Sequence, residues 1–197
     1  MKKFLILLLI LSSCKKAVYY YPSKEFFEKY SPKEIIIDDL SFQEITDSLS
    51  NELWKNKKRL FITLKDSYSI FKISPFTYTG GYIREKNILE IVDDSLWYSA
   101  NKVSIKELGK HIKLHYENNG KQAFLPDSYK RAFIQLNLDP KDSSEKLKKR
   151  LLYIIQVYNY TNIDFKDSIK LNIMIDYCQD KVYHQSIPPP SPIILED

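Results

Sequence analysis

Apolar residues recur along the first half of the chain in short runs and at helical spacings, which predicts alternating strands and helices. The runs at 34–38, 59–65 and 68–73 predict three strands. Residues 23–30 predict a short helix, and apolar residues three or four positions apart predict a longer helix between the first two strands. The apolar face of the longer helix consists of Phe42, Ile45, Leu49 and Leu53.

The second half of the chain shows a similar alternation. Two runs at 88–92 and 96–99, separated by a polar turn at 93–95, predict a hairpin. Further strands are predicted at 132–138 and 169–177, each preceded by a helix. The buried faces of these two helices consist of Ile105, Leu108, Ile112 and Tyr116, and of Leu147, Leu151, Ile154, Ile155 and Tyr158.

Helix-start signals repeat as well. Ser41 and Glu44 have the spacing of a capping box, in which each side chain satisfies a free amide of the other residue. Ser104 and Glu107 repeat this spacing, and Asp142 begins a third helix-start signal. The repeat indicates an internal duplication, although any two βαβ units share such a pattern. The predicted fold is α+β: a mixed β-sheet with helices packed on one face, in two weakly repeated βαβ-type units.

The first thirteen residues predict an export signal. Lys2 and Lys3 precede an unbroken apolar run at 4–11, which is shorter than the ~20 residues that span a bilayer. The run ends in Leu-Ser-Ser-Cys, which resembles the lipobox of bacterial lipoproteins and predicts cleavage before Cys14 and lipidation of its thiol. The alternative is an ordinary secretory signal followed by a chance cysteine.

Changes of composition divide the chain into five predicted segments. These are a signal peptide at 1–13, a tether at 14–22, an amino-terminal βαβ-type unit at 23–82, a second unit at 83–182 and a proline-rich tail at 183–197. The tether begins with basic rather than acidic residues, which favours an outer-membrane lipoprotein that faces the periplasm.

Charge, glycine and cysteine content exclude several classes of function. The net charge of +5 falls by two when Lys2 and Lys3 leave with the signal, and no block of five like charges occurs, so nucleic acid is not a predicted partner. The four glycines form neither a phosphate-binding loop nor a dinucleotide fingerprint. Cys178 has no disulfide partner once Cys14 is lipidated, and is predicted to be a buried apolar residue.

The predicted element order from about 87 to 180 is strand, strand, helix, strand, helix, strand. The segments Ile-Leu-Glu-Ile-Val-Asp-Asp-Ser-Leu-Trp-Tyr at 88–98 and Val-Ser-Ile-Lys-Glu-Leu at 103–108 resemble the periplasmic domain of the ExbD/TolR biopolymer-transport family. In that family a hairpin that ends in an aromatic residue precedes a Val-Ser-x-x-Glu-Leu helix start. The resemblance covers about half of the chain.

This resemblance implies a soluble domain that dimerises and binds envelope proteins or peptidoglycan. It does not imply proton-driven force generation, because family members keep a transmembrane helix that carries an aspartate. The apolar run at 4–11 contains no acid and precedes the predicted cleavage site. No functional residue of the family transfers one for one.

Two groups of residues could support chemistry. His111 and His115 share a helix face and could ligate a metal, but no third ligand is evident besides Glu107, so partly exposed polar residues beside the apolar face are the favoured interpretation. The pairs Asp38-Asp39 and Asp93-Asp94 each follow a strand and could act as acid and base, although adjacent carboxylates on a turn are usually solvated. Neither group is predicted to be catalytic, and no metal or cofactor is predicted.

Aromatic residues are concentrated around the predicted hairpins and could stack on sugar rings or on a partner protein. The alternative is that they form the core of a small sheet. The candidate binding residues are Tyr78, Tyr82, Trp97 and Tyr98. The predicted function is a non-enzymatic envelope lipoprotein that binds a partner or peptidoglycan, as a homodimer. A hydrolase of envelope polymers and a purely structural lipoprotein are the alternatives.

Overall fold

A computed structural model describes residues 16–78, 80, 82–98, 101–164 and 166–177. The signal peptide at 1–13, the lipidation site Cys14, Cys178 and the tail at 183–197 lie outside the described residues. Predictions for them are neither confirmed nor contradicted.

The first unit contains a four-stranded mixed sheet. Its strands are β1 (Ala17–Tyr21), β2 (Lys33–Glu34), β3 (Leu60–Lys65) and β4 (Ser69–Ile73), in the order β1-β4-β3-β2. The central pair β3–β4 is antiparallel, and the outer strands β1 and β2 are parallel to their neighbours. The predicted strands at 59–65 and 68–73 are confirmed, whereas the run at 34–38 supplies only the end of a two-residue strand.

The helices of the first unit begin where the sequence indicates. Helix α1 (Lys24–Tyr30) is capped by the Ser23 hydroxyl, and helix α2 (Phe42–Asn56) begins at a complete capping box of Ser41 and Glu44. A capping box satisfies two amide groups that a helix start otherwise leaves without partners. The apolar face of α2 is confirmed as buried at Phe42, Ile45 and Leu49.

The second unit contains a five-stranded mixed sheet. Its strands are β5 (Ile88–Val92), β6 (Ser95–Tyr98), β7 (Asn101–Ser104), β8 (Phe133–Leu138) and β9 (Ile173–Tyr177), in the order β7-β6-β5-β8-β9. The strands β5, β6 and β7 form an antiparallel meander, whereas β8 and β9 run parallel to β5. The edge strand β7 was not predicted, because Asn-Lys-Val-Ser shows no apolar alternation.

Two helices cover one face of the second sheet. Helix α3 (Leu108–Glu117) precedes β8, and helix α4 (Ser144–Tyr160) connects β8 to β9. Connections between parallel strands are right-handed in nearly all proteins, and these two proceed in the same direction across the sheet, which places both helices on one face. The two helices contact each other there, as the predicted fold requires.

The two units share one hydrophobic core and a backbone junction. The amide of Phe42 donates to the carbonyl of Asp142 at 2.7 Å, and the amide of Ser144 donates to the carbonyl of Leu40 at 3.0 Å. The helix starts of α2 and α4 therefore lie side by side. At the far edge of the second sheet, Phe76 extends the first unit along β9 by pairing with Met174. Buried residues of both units form one continuous cluster.

Three predictions about local structure are wrong. The tether predicted at 14–22 forms strand β1 over residues 17–21, because its Val-Tyr-Tyr-Tyr segment favours extended backbone and pairs with β4. The capping box at Ser104 does not form: its hydroxyl accepts from the amide of Lys106 at the start of a 3-10 turn. Helix α4 is capped by Ser143 rather than by Asp142.

The architecture confirms the predicted α+β class, with helices packed against two mixed sheets. None of the described helices has the length and apolar character that crossing a membrane requires.

Candidate ligand-binding face

The predicted binding residues Trp97 and Tyr98 are neighbours on β6 and therefore point to opposite faces of the sheet. Tyr98 lies on the helix-covered face, where its ring centroid is 4.8 Å from that of His111. It is half-buried against the core. Tyr98 therefore packs against the core, as in the alternative interpretation that the aromatic residues form the core of the sheet.

Trp97 lies on the other face of the second sheet, which we call the open face because neither α3 nor α4 covers it. It stands directly opposite Glu90 on β5, and the Lys102 ammonium lies 5.4 Å from its ring centroid. The ring is half-buried at this position. Of the predicted binding residues, Trp97 is therefore the one whose ring lies beside charged side chains, those of Glu90 and Lys102.

Tyr78 and Tyr82 lie in the connection between β4 and β5, with 49% and 90% of their surfaces exposed. Neither residue lies on the strand that carries Trp97. The sequence analysis grouped the four candidate residues only because they are close to one another along the chain. The long connection that holds Tyr78 first pairs with β9, at Phe76, before the chain reaches β5.

Polar residues lie beside one another on three neighbouring strands of the open face. Side chains at alternate positions share a face, so this polar stripe consists of Glu90 on β5, Gln135 and Asn137 on β8, and Asp176 on β9. Glu90 pairs in register with Gln135, and Asn137 with Asp176. Sequence reasoning missed the stripe, although the apolar and polar alternation of these strands was a visible signal.

The stripe is ordered by hydrogen bonds between its own side chains. The Gln135 amide donates to Oδ1 of Asn137 at 3.0 Å, and the Asn137 amide donates to the Glu90 carboxylate. Burial raises the pKa of Asp176 above its ordinary value. Buried polar groups are costly unless they are paired, and these bonds satisfy the buried Asn137 while they orient the half-buried Glu90 and Gln135 beside Trp97.

A cleft of about 330 Å³ opens near the amino ends of β8 and β9. Phe133 lies at its floor and shares the face of Gln135 and Asn137, so the cleft adjoins the polar stripe. Residues from both units line it: Leu53, Arg59, Phe76, Thr77, Lys130, Arg131, Ala132, Phe133 and Asn172. Three of the nine are cationic and none is acidic.

The two candidate histidines are buried, contrary to the predicted partly exposed positions. His115 is enclosed by the second unit, where its Nε2 lies 3.1 Å from the carbonyl oxygen of Asn87 and 3.2 Å from that of Phe133. Burial lowers the pKa of His115 to about 4, and it also lowers the pKa of His111, against the opposing effect of Glu107. Both imidazoles are therefore neutral at pH 7.

Metal ligation finds no support at this place. The Nε2 of His111 lies 3.8 Å from the Glu107 carboxylate, while His115 turns its Nε2 towards backbone oxygens. Within the ranges that the structure describes, no three His, Cys, Asp or Glu residues are grouped as a metal site would require.

The acidic pairs at the two turns are engaged with helix α4. Lys148 pairs with Asp38, Lys146 lies 3.4 Å from Asp93, and Arg150 lies 2.6 Å from Asp94. The hydrogen bond from Arg150 lowers the pKa of the Asp94 carboxyl group. A carboxylate held ionised in this way is poorly suited to general acid catalysis, so the structure favours a surface ion-pair role.

Comparison of the chain with family models, with curated proteins and with solved structures finds no match. The resemblance to the ExbD/TolR family therefore stays a prediction.

Proposed function

We propose that the chain is the precursor of a bacterial lipoprotein, anchored through Cys14 on the extracytoplasmic side of a membrane, whose folded part binds peptidoglycan without acting as an enzyme. The basic start, the apolar run at 4–11 and the Leu-Ser-Ser-Cys segment support the anchor. The position of the fold also supports it, because β1 begins at Ala17, directly after the lipobox and two further residues.

The open face is the observation that carries the binding role. Sugars are recognised by an aromatic ring against the apolar side of the pyranose and by planar polar side chains that bond to its hydroxyl groups. Trp97 supplies the ring, and Glu90 and Gln135 supply polar groups on the same face, held in position by the buried Asn137. This arrangement favours a glycan over a protein partner.

The order of elements in the second unit supports a relation to the ExbD/TolR periplasmic domain. A hairpin that ends in Trp97-Tyr98 is followed by helix α3, strand β8, helix α4 and strand β9, as that resemblance implies, with β7 as an addition. The relation supports peptidoglycan as the ligand and a homodimer as the assembly. It supports no motor function, because the signal segment at 4–11 contains no acid.

The anchor is tested by labelling cells with palmitate. We expect the full-length protein to incorporate the label and the Cys14→Ala variant to incorporate none, because the thiol is the acceptor of the first lipid. A Cys178→Ala variant is the matched control and should label normally. Persistent labelling of Cys14→Ala would refute the anchor.

Binding is tested by sedimentation of the full-length protein, in detergent, with purified peptidoglycan sacculi. We expect Trp97→Ala to weaken binding about tenfold, because the aromatic contact is lost. Trp54→Ala is the matched control, since Trp54 is exposed on α2 in the first unit. A wild-type protein that stays in the supernatant would refute the peptidoglycan proposal and favour an envelope protein as the partner.

A hydrolase of envelope polymers is the second candidate, and Asp176 is the observation that favours it. Its raised pKa is the property of a general acid, and Glu90 lies on the same face as a possible base. The sedimentation assay separates the candidates. Release of soluble fragments from sacculi by the wild type, but not by Asp176→Asn, would establish the hydrolase and end the binding-only proposal.

A further inference from the structure

The basic cleft is assembled from distant parts of the chain. Lys130 and Arg131 precede β8, Arg59 precedes β3, and Asn172 precedes β9. Lys130 and Arg131 are exposed and Arg59 is half-buried, so the three positive charges make the cleft attractive to anions from solution. Among the described residues, no carboxylate lies within ion-pair distance of Arg59, Lys130 or Arg131.

Asp127, whose carboxylate is influenced by the charge of Arg131, is already paired with other cations. Asp127 pairs with Lys86 at 2.7 Å and with Arg84 at 3.5 Å. The charge of Arg131 makes a smaller contribution than that of Lys86 to the lowered pKa of Asp127. The cations at the cleft are therefore available to a ligand from solution.

Arg59 is held in place by aromatic rings. Its guanidinium group lies 4.8 Å from the ring centroid of Tyr30 and 5.3 Å from that of Phe26. Stacking leaves the edge of a guanidinium group free to donate paired hydrogen bonds, which is the geometry that carboxylates accept. A preorganised arginine loses less entropy when a ligand arrives.

The rest of the lining is suited to a short peptide rather than to a bare ion. Phe76 and Phe133 meet edge to face at 5.5 Å between ring centroids and form an apolar floor. Thr77 shares a hydrogen bond with Ser50 at 2.9 Å, and Asn172 adds an amide at the rim. The volume of about 330 Å³ is at the small end of the range for ligand sites, about 300–1,000 Å³.

We propose that this cleft binds the carboxylate groups of an acidic peptide. Because the cleft adjoins the polar stripe, the geometry points to one polymer for both places: the glycan lies on the open face, and the acidic peptide that branches from it enters the cleft. The identity of the polymer rests on the proposed function. The carboxylate specificity of the cleft does not.

The test uses the full-length protein in detergent and four probes: soluble muropeptides, the same muropeptides after amidation of their carboxyl groups, an acetylated Glu-Glu peptide, and inorganic phosphate. We expect the double variant Lys130→Gln/Arg131→Gln to bind the unmodified muropeptides and the acidic peptide at least tenfold more weakly, because charge-assisted hydrogen bonds are lost. Amidation of the muropeptides should weaken wild-type binding to a similar extent and leave the double variant nearly unaffected.

The matched control is Lys141→Gln/Lys149→Gln, which removes two exposed charges, one just before helix α4 and one within it, neither of which lines the cleft. It should bind as the wild type does, and unchanged circular dichroism should show that both double variants are folded. Equal binding by the two double variants would overturn the cleft assignment, even with normal binding to sacculi. Preference for inorganic phosphate over the acidic peptide would also overturn it.

The outcomes separate the two proposals. Cleft-dependent binding of Glu-Glu without any binding of sacculi would uphold the carboxylate cleft and end the peptidoglycan proposal. Binding of sacculi that depends on Trp97 and not on Lys130 and Arg131 would uphold the peptidoglycan proposal and end the carboxylate cleft.

Discussion

Truncation of Phe42 to alanine is expected to lower the free energy of unfolding by about 3–5 kcal/mol, which is the usual cost of emptying a buried phenylalanine site. Phe42 has no exposed surface, and it belongs to the cluster that both units share. The loss should therefore destabilise the whole molecule in one cooperative transition and not only the unit that contains α2.

Urea unfolding of the full chain measures this effect, with one tryptophan reporting on each unit. Trp54 lies on α2 and Trp97 on β6, so Trp97→Phe and Trp54→Phe backgrounds follow the first and second units separately. The urea midpoints reported by Trp54 and by Trp97 should shift together. Phe124→Ala is the matched control, because Phe124 is 46% exposed, and it should cost less than about 1 kcal/mol. A shift confined to the Trp54 signal would show that the units unfold independently.

Acid is expected to destabilise the fold through His115. The folded-state pKa of about 4 lies below the ordinary value of 6.5 that the unfolded chain has. Between these values the unfolded state binds a proton that the folded state excludes, so stability falls as pH falls through this window. From pH 7 to pH 5 the contribution of this one residue is about 2 kcal/mol.

The measurement compares stability at pH 7 and pH 5 in the wild type and in His115→Gln. The glutamine amide can still donate to the carbonyl groups of Asn87 and Phe133, while it cannot take up the proton. We expect a shallower pH dependence in this variant. His111→Gln should change the dependence less, because Glu107 partly offsets the lowering of the His111 pKa. Identical pH dependence in the wild type and His115→Gln would contradict the burial of His115.

Local signals made most elements predictable from the sequence. Helix α2 combines a capping box with apolar residues at helical spacing, and β5 is an apolar run interrupted only by Glu90, so each is specified by its own residues. The strand β1 was missed because its position after the lipobox suggested a tether, although its composition favours a strand. Ser104 failed as a capping box because the chain enters a 3-10 turn there.

The candidate sites were less predictable, because they depend on contacts between distant residues. Trp97 could be chosen as an aromatic residue of the predicted hairpin, but its polar neighbours come from β8 as well as β5. The cleft cannot be read from any local pattern, since Arg59, Lys130 and Asn172 meet only after both units have packed together. The burial of His111 and His115 likewise depends on strands that lie far away in the sequence.

The early start of β1 limits how far an anchored copy can reach. Only two residues separate Cys14 from Ala17, so the segment that joins Cys14 to the fold spans at most about 10 Å. A domain of this size is about 40 Å across. With lipid on Cys14, the domain samples a layer about 50 Å deep beside the bilayer. If the domain binds peptidoglycan as proposed, it can reach the wall only where the wall lies within this layer, so binding would depend on the distance between wall and membrane.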